Sequence, residues 1–93
     1  MEDRFREMLA ALHQAQQAVR DEMAPLQARD FDCPAALSLL QAVRSFATQA
    51  EFLLVMMAER GAEDALADAA EDLTGFFRDT EAWVEALLAA GQG

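Results

Sequence analysis

Ninety-three residues make one domain, which buries only roughly 60–65% of the surface its unfolded chain exposes. That is too little for a deep enzyme cleft within one subunit. The formal net charge is −10, from 17 acidic and 7 basic residues, and it disfavours nucleic acid and anionic membrane as direct partners. Apolar residues make up 54% of the chain, enough for a packed core and too many for a disordered tail.

The composition is helical. Twenty-one residues are Ala, the strongest helix former. Tyr, Ile, Asn and Lys are absent and every basic residue is Arg, which points to a GC-rich bacterial or phage source. The lone Cys33 has no internal disulfide partner. Met1-Glu2-Asp3 opens without a basic stretch and apolar run, so no secretory signal is read. The longest apolar run, 52–58, is far short of the ~20 residues of a membrane span. The expectation is a soluble, cytoplasmic protein.

In chain order, helix 1 is expected over about 2–23. Phe5, Met8, Leu9, Leu12, Ala15, Val19 and Met23 recur at spacings of three and four. Gln14, Gln17 and Asp21 occupy the opposite face. Pro25 should end or kink this helix. A linker follows over 24–33, pinned to the core by Leu26 and Phe31. Helix 2 is expected over about 34–60, with Asp32 as its N-cap and Pro34 in its first turn. Gly61 suits the left-handed position that ends it. Helix 3 is expected over about 62–90, with Glu63 and Asp64 at its positive dipole end and Gly91 as its stop. The tight link at Gly61 makes helices 2 and 3 an antiparallel hairpin. Helix 1 packs along it, giving an all-α, up-down-up three-helix bundle. The expected core is Leu39, Leu40, Val43, Phe46, Ala47, Ala50, Leu53, Leu54 and Met57 of helix 2. Leu66, Ala70, Leu73, Phe77, Val84 and Leu87 form that of helix 3.

Two surfaces stand out on helical wheels. Residues 63–85 carry eight acidic side chains and one basic one. Asp64, Asp68, Glu71 and Asp72, with Asp79 further on, read as an acidic face. Its blander meaning is a solvated face that keeps a small bundle soluble. Its sharper meaning is recognition of a basic partner. Carboxylates at 64, 68 and 72 repeat about every 6 Å, close to the phosphate spacing of a DNA strand. Phe76 and Trp83 flank that helix's core stripe and offer an aromatic hot spot. The second surface lies on helix 2, where Phe52 points away from the core stripe, flanked by Val55 and Met56, with Leu37 one face over. Their neighbours are Ser38, Gln41, Ser45, Thr48 and Gln49, and only Glu59 adds a charge. Either helix 1 covers this face, making helix 2 the central helix, or the face is an interface for another protein or a second copy.

Sites for chemistry are scarce. One Cys and one His do not make a zinc site, and no Glu-x-x-His pair supports a di-iron bundle. The acidic residues of helix 3 lack an inward-facing acidic counterpart on helices 1 and 2, which disfavours a magnesium-dependent nucleotide hydrolase. No glycine-rich phosphate loop or nucleophile elbow occurs. His13 sits alone at the edge of helix 1's polar face. No catalytic residue, cofactor or metal is expected. The leading expectation is a non-enzymatic protein–protein interaction module (adaptor, chaperone or regulator) that binds through the apolar face of helix 2. The alternative is a phage-type inhibitor that mimics nucleic acid and binds a basic protein through helix 3. The hydrolase is the least favoured reading.

Overall fold

The computed structural model describes residues 2–28 and 32–92. It contains three α-helices, α1 (Glu2–Ala28), α2 (Cys33–Arg60) and α3 (Asp64–Gln92), and no strand among the described residues. They form an up-down-up three-helix bundle with extents of 47 × 19 × 16 Å. The most extensive packing is between α2 and α3, with α1 laid against both.

Both ends of α2 are set by local chemistry. Asp32 adopts extended backbone (φ −117°, ψ 103°), and its carboxylate accepts from the Ala35 N–H at 3.3 Å. The Asp32 carbonyl accepts the first helical bond, from Ala36 N–H at 2.9 Å. One of the orphan donors of the first turn is thereby satisfied. At the other end Gly61 takes φ 67° and ψ 42°, a left-handed conformation that costs glycine least. The Gly61 N–H and the Ala62 N–H, the latter at 3.0 Å, both bond the Met57 carbonyl and close the helix.

The boundaries differ from expectation in three places. Pro25 does not stop α1, which continues to Ala28. The ring removes the bond to the Asp21 carbonyl, but Pro25 and Asp21 both lie on the exposed side, where water can satisfy that carbonyl. Leu26, buried in the core, holds the last turn in place. Phe31 lies outside the described residues. Ala62 and Glu63 belong to the turn rather than to α3. The Glu63 carbonyl accepts the first bonds, from Leu66 and Ala67 N–H groups at 3.0 and 3.1 Å. Gly91 lies within α3, since glycine permits a left-handed turn without requiring one.

The core follows the helical stripes. Phe5, Leu9, Leu12 and Val19 of α1 meet Leu39, Val43, Leu53 and Met57 of α2 and Leu73, Phe77 and Val84 of α3 in one buried cluster. Ala36, Ala47 and Ala50 of α2 and Ala70 of α3 are fully buried. Their small side chains let backbones approach closely. Phe77 is the largest fully buried side chain, with ring centroids 5.5 Å from both Phe46 and Phe76. Thr80 is also buried, 4% exposed, at a position that the apolar stripe of α3 skips. Its hydroxyl donates to the Phe76 carbonyl at 2.8 Å, so burial leaves no orphan polar group. Near the end of α3, Leu88 is buried and Leu87 only half-buried, the reverse of the expected order. A strict seven-residue repeat from Leu66, Leu73 and Thr80 would reach Leu87, but burial moves on to Leu88, four residues after Val84, because 3.6 residues per turn drift against a repeat of seven.

Candidate interaction surfaces

The apolar face of α2 is not covered by α1. Phe52 is 62% exposed, Val55 54% and Leu37 46%. No other large hydrophobic side chain among the described residues is as exposed. So α2 is not the central helix. Instead α1 sits to one side, and Met56 on that side is half-buried against the core. Between the two helices runs a surface groove of about 530 Å³, lined by Arg4, Phe5, Met8, Phe52, Met56 and Arg60. A smaller hollow of about 210 Å³ continues from Met8 along Ala11 and Ala15 to Phe46 and Gln49. The result is a largely apolar groove, edged by Arg4 and Arg60, that opens onto an exposed helix face charged only at Glu59. Phe52, Val55 and Leu37 thus add exposed apolar surface beside the groove, of the kind whose burial is favourable.

Three of the polar residues on this face, Ser45, Thr48 and Gln49, make hydrogen bonds within α2. Thr48 donates its hydroxyl proton to the Arg44 carbonyl at 3.0 Å. The Gln49 amide donates to the Ser45 hydroxyl at 3.2 Å. Covering these three therefore costs less than covering bare polar groups.

On the other edge of α2, charges tie it to α3. The Arg44 Nε donates to Glu81 Oε2 at 3.0 Å, and its Nη2 lies 3.7 Å from Glu85. Arg78 donates from Nη1 to Glu81 at 2.9 Å and from Nε to Glu51 at 2.6 Å. Two guanidinium groups thus share Glu81. Its carboxyl is held below the usual glutamate range, first by the hydrogen bond from Arg78 and then by that from Arg44. The Arg78 guanidinium is correspondingly held above its usual range by Glu81 and Glu51. The chain read as separate helices does not reveal this network. The signal is present once the hairpin is folded on paper, since antiparallel pairing about Gly61 brings Arg44 level with Glu81 and Glu85, and Glu51 level with Arg78.

The acidic face is exposed throughout. Asp64, Asp68, Glu71, Asp72 and Asp79 all lie at the surface. None of the five makes an ion pair or side-chain hydrogen bond among the described residues. Phe76 and Trp83 are half-buried and packed against the core. The Arg20 guanidinium lies 5.2 Å from the Phe76 ring centroid, so α1 caps that ring. Neither aromatic stands free as Phe52 does.

The remaining polar groups are quiet. His13 is exposed, and its Nδ1 lies 3.0 Å from the Leu9 carbonyl one turn back. Cys33 is exposed at the start of α2. Among the described residues, no group of three or more His, Cys, Asp or Glu side chains is placed to hold a metal ion. No helix there is long and apolar enough to cross a membrane. No family model, curated protein or solved structure matches this chain.

Proposed function

We propose that this chain is a non-enzymatic protein–protein interaction module that binds through the outer face of α2. The observation that carries this reading is the exposure of Phe52, Val55 and Leu37 on a face whose other residues, Glu59 apart, are uncharged. Their burial against a partner supplies the driving force. The α1–α2 groove beside Phe52 supplies a pocket for an apolar side chain. In this reading the protein acts in the cytoplasm, as an adaptor, chaperone or small regulator. The test is capture on tagged protein from a lysate, comparing the native chain with Phe52→Asp. The expected result is a partner that survives high salt with the native chain and is lost with the variant, while circular dichroism shows helical content unchanged. Equal capture by both chains refutes the reading.

A second reading is supported by a separate observation. Five carboxylates, Asp64, Asp68, Glu71, Asp72 and Asp79, stand exposed and uncompensated on α3. We infer from them the alternative of an inhibitor that imitates nucleic acid, of the anti-restriction or anti-CRISPR kind, bound to a basic protein. Its binding would weaken steeply with salt. It would be lost when Asp64, Asp68 and Asp72 become Asn and Glu71 becomes Gln. A captured basic partner that binds this neutralised chain as tightly as the native one refutes that alternative.

A further inference from the structure

The outer strip of α2 has the spacing of a coiled-coil seam. Ser38, Gln41, Ser45, Thr48, Phe52 and Val55 follow one another in alternating steps of three and four, and all are exposed. This is the heptad pattern by which one helix meets another. None of the six is charged, and the next step of the strip is the exposed Glu59 near the end of α2. The other charges flank the strip on the α3 side, where Arg44 and Glu51, seven residues apart, are held in place by Glu81 and Arg78.

We propose that a second copy of this chain occupies the face, its α2 running antiparallel to the first about a two-fold axis level with Phe46 and Ala47. The proposal rests on the reading of the α2 face as a protein interface and names its occupant. Charge selects this arrangement. In the antiparallel register centred there, Ser45 meets Thr48 of the second copy, Gln41 meets its Phe52, and Ser38 meets its Val55. Arg44 then comes within two residues, about 3 Å along the axis, of the level of Glu51 of the second copy, close enough for the long side chains to pair, and the symmetry makes that pair twice. A slip of one heptad in one direction sets Glu51 against Glu51, and in the other direction Arg44 against Arg44. Parallel pairing leaves both charges without a counterpart and stacks Glu59 on Glu59.

Packing agrees with charge. The small Ser45 and Thr48 lie at the axis and allow close approach. The Thr48 hydroxyl donates within its own helix and the Ser45 hydroxyl accepts from Gln49, so the seam closes over Thr48 without stranding its donor. Phe52 and Val55, the bulkiest projections, fall against the small and polar residues near the start of the partner helix. From Pro34 to Glu59 the seam runs about 39 Å at 1.5 Å per residue.

The test is a charge-swap mixing experiment read by sedimentation. Arg44→Glu and Glu51→Arg are each measured alone and then in equal mixture. Each variant alone sets like charges together at both pairs and should self-associate about tenfold or more weakly than the native chain. In the mixture both pairs are again opposite in sign, so heterodimers should form with near-native affinity. Single variants that dimerise like the native chain, or a mixture that fails to recover, overturn the proposal. Because these residues also anchor α3, a second measurement leaves them intact. In a Cys33→Ser background, Ser45→Cys mixed with Thr48→Cys should form a disulfide readily, and Ser38→Cys alone should not. Cross-linking of Ser38→Cys chains to each other indicates parallel pairing and overturns the proposal. A native chain that stays monomeric, while Phe52→Asp still loses a captured partner, overturns the self-pairing and leaves the face itself as an interface.

Discussion

Phe77 and Phe52 carry the same side chain, one in the core of the bundle and one on its surface, and their replacement by Ala should separate core from interface. Phe77 is fully buried, and its ring packs against Phe46 and Phe76. Truncation there removes the transfer energy of the ring and opens a cavity, a loss of about 3–5 kcal/mol. For a domain of this size, with total stability of roughly 5–10 kcal/mol, the melting temperature should fall by about 15 °C or more. Phe52 is 62% exposed, so little more than a third of its area contributes to the fold of one chain. At about 25 cal/mol per Å² its loss removes about 2 kcal/mol, partly offset by the better helix propensity of Ala. The net loss should be about 1 kcal/mol in dilute solution. The assay is urea unfolding followed by circular dichroism, at low and at high protein concentration. The Phe77→Ala cost should not depend on concentration beyond the native chain's own dependence. The Phe52→Ala cost should grow with concentration, because association stabilises the native chain by mass action and the variant forgoes that gain. Equal losses at the two positions in dilute solution would refute the assignment of Phe52 to the outside.

Other consequences follow from single residues. Gly75 is exposed in the middle of α3, and a Cβ there would meet no atom within 4 Å, so Gly75→Ala should stabilise by about 1 kcal/mol in the same urea assay. Asp32→Ala removes the cap of α2 and should cost about 1 kcal/mol, with amide exchange accelerating first at Ala35 and Ala36. Glu81 gives a pH signature. Its carboxyl is held below its ordinary value of 4.5 by Arg78 and Arg44, so it adds stability that is fully present above that pH. The contribution fades as pH falls through the lower folded-state value. Glu81→Gln should therefore be less stable than native at neutral pH, with the gap narrowing below about pH 4.5. A gap that widens on acidification would contradict the shared arginine geometry.

The sequence made the helices and most of the core legible because 3.6-residue periodicity is a local property. The same wheel that placed Leu53 inward placed Phe52 outward, and the structure leaves Phe52 exposed. What sequence did not reveal depends on neighbours. Thr80 was missed because a hydroxyl reads as polar until its bond to the Phe76 carbonyl is seen. Pro25 reads as a helix end by its missing N–H, yet the carbonyl it orphans faces water and Leu26 anchors the turn beyond it. The groove of Arg4, Met8 and Met56 depends on where α1 leans across the hairpin, a degree of freedom that no single helix encodes. The Arg44–Glu81–Arg78–Glu51 network likewise exists only once two helices share a register.

The central claim is that the outer face of α2 is an association surface with a second copy as its occupant. The most direct measurement is sedimentation equilibrium of the native chain and of Phe52→Asp, from about 1 to 200 µM, a range that brackets typical micromolar affinities. If the α2 face pairs two copies, the native mass rises from the 10.2 kDa of one chain toward twice that value, while the variant stays monomeric and helical. Native protein that remains at one chain's mass throughout, or a variant that dimerises equally well, would contradict it.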